Sequence, residues 1–92
     1  MQQRLSQEEL SKRLAEAARL VTVGAQYMHY KSKPYKVLNL ALTEETNEVC
    51  VIYQAQYANK YGDKLTFIRP LQNWIEDVEW EGKQLKRFTP IT

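Results

Sequence analysis

The hydrophobic period of this chain changes once, near Gly24, and that change restricts the fold more than any other feature. Before it, apolar residues recur at the spacing of an α-helix. Ser6 and Glu9 match a capping box, in which each side chain accepts a hydrogen bond from the backbone N–H of the other residue. We therefore expect one helix over Gln7–Leu20, packed on the strands or on a partner. From Val23 onward the period is two, which is typical of β-strands.

The region after the helix divides into short apolar runs separated by turn residues. We expect strands over residues 23–30, 35–42, 48–57 and 65–69, then a 3₁₀ turn over residues 71–74 and a hairpin of residues 78–80 and 85–88. In the second strand, Leu38, Leu40 and Leu42 are predicted to share one face. Pro70 ends the fourth strand, because proline has no N–H to donate to the ladder.

These elements predict the fold class. The 92 residues suffice for one domain. We expect a mainly β protein with one N-terminal helix, folded as a small SH3-like antiparallel barrel or roll of about five strands. The helical segment occupies residues 1–22 and the barrel domain residues 23–92.

Cysteine usage and the first residues indicate the compartment. The single cysteine, Cys50, allows no disulfide within the chain, whereas small secreted domains usually contain several. The first residues lack the apolar run of a signal peptide. No stretch approaches the roughly 20 apolar residues that cross a bilayer. We therefore expect a cytoplasmic protein with no membrane partner.

The distribution of charge is more informative than the net charge of +2. No acid occurs between Ala17 and Thr43, a region that contains Arg19, Lys31, Lys33 and Lys36. All six tyrosines lie between residues 27 and 61. Tyrosines flanked by lysines are typical of a platform on which bases or a proline-rich peptide stack. The alternative is that the tyrosines form the wall of the barrel and the lysines are solvated.

Five residues are the candidate ligand-binding set: His29, Tyr30, Lys31, Tyr53 and Arg69. At a strand end, His29 and Lys31 are predicted to share one face while Tyr30 points to the other. An imidazole beside an ammonium group suits a phosphate or carboxylate, and Arg69 joins them if its strand is adjacent. The alternative is that His29 binds a loop backbone group and Lys31 is solvated.

No group of residues meets the needs of catalysis. Cys50, between two valines, is predicted to pack in the sheet rather than to act as a nucleophile. One histidine and one cysteine are too few for a structural zinc site. The three glycines are isolated and form no phosphate-binding loop. We therefore predict neither an enzyme nor a cofactor.

Several motifs follow one another in the strand region: Gly24-x-x-Tyr27-x-His29-Tyr30-Lys31, Tyr35-x-Val37-Leu38, Glu45-Thr46-x-Glu48, Val51-x-Tyr53 and Arg69-Pro70-Leu71. In this order they resemble the small bacterial family named domain of unknown function 1653, over residues 23–88. The resemblance implies a compact β-rich domain and carries no assigned activity. The chain departs from the family pattern at Ser32, where glycine is frequent, at Thr43, where histidine is usual, and at Phe67, where tryptophan is common.

Two hypotheses of function follow from these features. In the first, the barrel binds an anionic ligand, such as a nucleotide or nucleic acid, through the five candidate residues. In the second, the domain is an adaptor that binds a partner protein through its N-terminal helix and a sheet edge. The sequence does not name the ligand or the partner.

Overall fold

The N-terminal helix begins and ends where the sequence predicts. The computed structural model describes residues 5–91, and α1 spans Gln7–Leu20. Ser6 caps it: its Oγ accepts the Glu9 N–H at 3.1 Å, and the Glu9 Oε1 accepts the Ser6 N–H at 3.1 Å. The capping box is thereby confirmed, whereas residues 1–4 of the predicted helical segment lie outside the described residues. Within residues 5–91, no helix is long and apolar enough to cross a membrane.

Within residues 5–91, seven strands and one short helix follow α1. They are β1 (Gln26–His29), β2 (Pro34–Leu42), β3 (Val49–Ala55), β4 (Thr66–Pro70), α2 (Leu71–Trp74), β5 (Asp77–Trp80), β6 (Lys83–Lys86) and β7 (Phe88–Pro90). Five of the strands form an antiparallel sheet in the order β4-β3-β2-β1-β7, and β5 and β6 form a separate hairpin. The predicted 3₁₀ turn is instead the single α-helical turn α2, because the Ile75 N–H binds the carbonyl of Leu71 four residues earlier.

The fold is mainly β as predicted, but the SH3-like barrel is not confirmed. Within the described residues, β4 pairs only with β3 and β7 only with β1, so the sheet has two edges and does not close. The prediction places Phe88 in the second strand of the last hairpin. In the structure that strand, β6, ends at Lys86, and Phe88 begins a separate strand, β7, which pairs with β1. Pro70 and Pro90 lie in the two edge strands and offer no N–H to a further strand.

A β-bulge in β2 separates Leu38 from the face that it is predicted to share with Leu40 and Leu42. Val37 pairs with Tyr53, but Asn39 pairs with the preceding residue of β3, so Leu38 is an extra residue. Val37 and Leu40 therefore both pack against the core, although they are three positions apart. Leu38 is 40% exposed, and the prediction that it shares a face with Leu40 is wrong.

The core lies on one face of the five-stranded sheet, which we call the inner face. The sheet contributes Tyr27, Val37, Val51, Tyr53 and Phe88, α1 contributes Ala17 and Val21, and α2 contributes Leu71 and Trp74. The two helices cover only part of the inner face. The uncovered part, towards the turn between β1 and β2, contains most of the candidate site residues.

The turn between β1 and β2 explains why the family pattern has a glycine where this chain has Ser32. The Ser32 φ is 65°, in the left-handed region that glycine adopts without steric cost. The Ser32 N–H donates to the His29 carbonyl at 2.7 Å, so the turn is closed in this conformation. The departure at Ser32 therefore carries backbone strain.

We expect Ser32→Gly to raise the free energy of unfolding by about 1 kcal/mol, because glycine relieves this strain. The matched control is Ser11→Gly on the exposed face of α1, which should lower the free energy of unfolding by about 0.5 kcal/mol. Urea denaturation of the three proteins measures both values. A loss of stability in Ser32→Gly would contradict the assignment of strain to this turn.

Candidate functional site

Three of the five candidate residues surround one buried ring, that of Phe88. The His29 ring centroid lies 5.1 Å from it, the Tyr53 centroid 5.8 Å and the Arg69 Cζ 5.5 Å. The strands of His29 and Arg69 are not adjacent, because β2 and β3 lie between them. The Arg69 guanidinium nevertheless lies over the Phe88 ring, beside which the His29 ring also packs. Phe88 itself is absent from the candidates, since nothing in the sequence indicates that β7 joins β1.

Tyr30 and Lys31 also belong to this group, although not in the predicted arrangement. The chain leaves β1 at His29, and Tyr30 lies in the turn, so strand alternation no longer applies. The Tyr30 ring packs on His29, with centroids 4.4 Å apart, instead of pointing away from it. The Lys31 Nζ lies 5.7 Å from the Tyr30 ring and 5.6 Å from the ring of Trp80, a residue that the sequence did not single out.

His29 is a neutral hydrogen-bond donor. Its Nδ1 accepts the backbone N–H of Lys31 at 3.1 Å, which leaves the ring proton on Nε2. Burial lowers the pKa of His29, and the positive charges of Arg69, Arg87 and Lys31 lower it further. The predicted alternative, a hydrogen bond between His29 and a loop backbone group, is therefore present in the structure, with Nδ1 as the acceptor.

Arg69 is held by two uncharged partners. Its Nε donates to the Tyr53 hydroxyl at 3.1 Å, and its Nη1 donates to the Asn73 side-chain oxygen. The backbone carbonyl of Asn73 accepts the Arg87 Nε–H at 3.0 Å. Asn73 of α2 thus binds two guanidinium groups. After Phe88 and Trp80, Arg87 is the third residue of this region that sequence reasoning missed. Its only signal is its place in the basic C-terminal run.

A second aromatic group lies beside the first. The Tyr35 and Tyr57 hydroxyls are 2.6 Å apart, and burial together with this hydrogen bond raises the pKa of Tyr35. The Lys33 Nζ lies 5.0 Å from the Tyr57 ring. Phe67 packs on Tyr53 at 5.7 Å between centroids and is 41% exposed.

We name this surface the aromatic face. Its members are His29, Tyr30, Lys31, Lys33, Tyr35, Tyr57, Phe67, Arg69 and Trp80, above the buried rings of Tyr53 and Phe88. Lys36, grouped with the other lysines by sequence, lies outside it: it pairs with Gln26 and Gln54, out of phase with the inward Val37. Exposed rings and cations on one surface can hold a planar, negatively charged molecule.

The sequence analysis also considered Cys50 as a nucleophile and the possibility of a metal site. Cys50 is buried in the sheet, and burial followed by the charge of Glu48 raises the pKa of its thiol. Within residues 5–91, no three histidine, cysteine or acidic side chains are grouped as metal ligands.

The Arg69 hydrogen bonds predict a stability effect. We expect Arg69→Met, which keeps the aliphatic stem, to lower the free energy of unfolding by about 1.5–3 kcal/mol because it leaves the Tyr53 hydroxyl and Asn73 without their partner. The control is Arg19→Met on exposed α1, where a change within about 0.5 kcal/mol is expected. Thermal denaturation checks both, and equal melting temperatures for the two variants would contradict a structural role for Arg69.

His29 is the only histidine, so its titration can be followed by NMR without assignment. We expect a midpoint below the ordinary value of 6.5, and a rise in that midpoint in Arg69→Met, because one nearby positive charge is removed. A lowered pKa means that the unfolded chain binds the proton more readily. His29 therefore contributes stability above pH 6.5 that is lost as the pH falls through that value and towards the folded pKa. A midpoint at or above 6.5 would contradict this account.

Comparison with known proteins agrees with the sequence motifs. No curated protein matches the chain. A crystal structure of a protein of the DUF1653 family from Bordetella bronchiseptica is similar, with a TM-score of 0.66 and 34% sequence identity, over 74% of this chain and 85% of that chain. The family model described as protein of unknown function (DUF1653) matches residues 25–90. The predicted resemblance is confirmed, and this chain belongs to the DUF1653 family.

Proposed function

We propose that the aromatic face binds a nucleotide unit, that is, a planar base carrying an anionic phosphate. The observation that carries this proposal is the alternation of cations and rings on one surface. Lys31 lies 5.6 Å from Trp80, Lys33 lies 5.0 Å from Tyr57, and the Arg69 Cζ lies 6.0 Å from Tyr53. Such pairs offer a ring for stacking and a charge for phosphate within the span of one nucleotide.

Two rings are exposed enough to stack with a base. Phe67 is 41% exposed and Trp80 is 39% exposed. Stacking of a base on an aromatic side chain contributes about 1–3 kcal/mol. Both rings are supported from beneath, Phe67 by Tyr53 and Trp80 by Tyr30. A supported ring loses little conformational freedom when a base covers it.

The charges favour an anion locally, although the net charge is only +2. Lys31 and Lys33 are exposed in the turn, and within residues 5–91 neither makes an ion pair with a carboxylate. Their partners are aromatic rings, which attract a cation without neutralising it. These lysines are therefore free to meet a phosphate, and binding through them should weaken as salt increases.

The adaptor hypothesis has less support from the observed packing. The helix stripe that motivates it is partly used within the domain, since Ala17 and Val21 belong to the core. The two edge strands of the five-stranded sheet each contain a proline, which disfavours addition of a strand there. We therefore treat partner binding through α1 or a sheet edge as the alternative outcome of the test below.

The test is an NMR amide titration at low salt with adenosine 5′-monophosphate and with a short oligothymidylate. We expect shifts over residues 27–36 and at Phe67, Arg69 and Trp80, and we expect them to fade as salt is added. The two ligands distinguish a free nucleotide from a single strand. Unchanged spectra at millimolar ligand would contradict the proposal and favour the adaptor hypothesis.

Two adjacent residues of β4 provide a matched pair of variants. Phe67 lies on the inner face with its partner Tyr53, whereas Ile68 pairs with Ile52 on the opposite face and is more exposed. We expect Phe67→Ala to weaken nucleotide binding about tenfold, in keeping with the loss of one stacked base. Ile68→Ala should leave the affinity unchanged. Equal effects of the two variants would show that the ligand does not contact the aromatic face.

A further inference from the structure

Two guanidinium groups lie at the base of the aromatic face with little opposite charge. Arg69 makes no ion pair within residues 5–91, and Arg87 pairs only with Glu76, at a long distance of 3.7 Å. The Arg87 side chain is 18% exposed, whereas the Glu76 side chain is 54% exposed and hydrated. Since Asn73 binds both arginines, they are fixed close together despite their mutual repulsion. Such an arrangement is stabilised when an anion enters.

His29 completes this pair from the other side. Every element packed on it adds an uncharged ring or a positive charge: Tyr30 and Lys31 from the turn, Tyr35 from β2, Arg69 from β4, Arg87 from the bend between β6 and β7, and Phe88 from β7. The acid nearest to this group in the ion-pair network is Glu76, the partner of Arg87. The imidazole, with Nδ1 already occupied, presents Nε2–H as a further donor.

We propose that Arg69, Arg87 and His29 form a subsite for a terminal phosphate, a monoester rather than the diester linkage within a strand. This inference rests on the proposed nucleotide function and identifies which part of the nucleotide is recognised. The nearby formal charges are those of Arg69, Arg87, Lys31 and Glu76, which leave two positive charges in excess. A phosphate monoester carries close to two negative charges at neutral pH and has three terminal oxygens for the three donor side chains. A diester carries one charge and has two free oxygens.

The subsite predicts a link between phosphate and the protonation of His29. In the free protein burial disfavours the imidazolium form, and the surrounding cations disfavour it further. A bound dianion reverses the local field, so the pKa of His29 should rise on binding. The change needs no ligand other than inorganic phosphate. It reports on this subsite even if no base is bound.

The experiment combines ligands that separate the base from the phosphate. The His29 titration is followed by NMR with and without inorganic phosphate, and the affinities of adenosine, adenosine 5′-monophosphate and the dinucleoside monophosphate ApA are measured by amide shifts. We expect phosphate to raise the His29 midpoint, and the monophosphate to bind about tenfold more tightly than ApA, which has no terminal phosphate.

The variants are at residues in and directly beside the hairpin of β5 and β6. Arg87→Gln should reduce the affinity for the monophosphate to that for adenosine, and Arg87→Lys should retain part of it. Lys86→Gln removes one exposed charge that pairs with Asp77 at 3.1 Å, and it should have no effect. Glu76→Gln should strengthen binding, because it removes the carboxylate that competes with the phosphate. If Arg87→Gln does not fold, the wild-type ligand series and Glu76→Gln decide the question.

The outcomes separate this inference from the proposed function. Equal affinities for the monophosphate and ApA, with no shift of the His29 midpoint, would overturn the subsite and leave nucleotide binding intact. A raised midpoint with phosphate but no added affinity from the base would support the subsite and contradict the proposed function. If no ligand shifts any amide, both proposals fail.

Discussion

The stack of Trp74 on Phe88 is the contact on which the rest of the structure depends. The two rings are nearly parallel, with centroids 3.6 Å apart and an interplanar angle of 5°, and both are buried. The stack joins α2, the turn of helix after the fourth strand, to the last strand of the sheet. Because Phe88 pairs with His29 in register, the same contact positions the candidate site. Large buried rings dominate the energetics of a core this small.

The inner face serves two purposes because it is only partly covered. Helix residues Ala17 and Val21 close one part of it, and the rings of Tyr53 and Phe88 continue from the core beneath the aromatic face. The two interpretations of the tyrosines therefore apply to different residues. Tyr53 is packed in the core, whereas Tyr30, Tyr35 and Tyr57 are half-buried at the surface. A ring packed on a core on one side and open on the other is held rigid for a ligand. In the proposed function, the packing that stabilises the fold also prepares the site.

The two guanidinium groups beneath this surface need hydrogen-bond acceptors, and the domain provides them from nearby residues. Burial and the positive charges of Arg69 and Arg87 also disfavour the imidazolium form of His29. Asn73 provides an acceptor to each arginine, and Tyr53 provides one to Arg69. Asn73 and Tyr53 are uncharged, so they orient the guanidinium groups without neutralising them. The one carboxylate paired with Arg87 within residues 5–91, that of Glu76, is 3.7 Å away and 54% exposed. Orientation with retained charge is the property that a site for anions needs.

What the sequence alone determined are the features that depend on nearby residues. The start of the helix follows from a four-residue capping box, the last hairpin turns at Glu81-Gly82, where both φ angles are positive, and the family follows from short motifs. The tertiary structure alone decided the bulge at Leu38, the pairing of β7 with β1 and the binding of both Arg69 and Arg87 by Asn73. Those features depend on register between strands and on packing between residues far apart in the chain. No local period encodes them, because the free energy that selects them arises only when the distant surfaces meet.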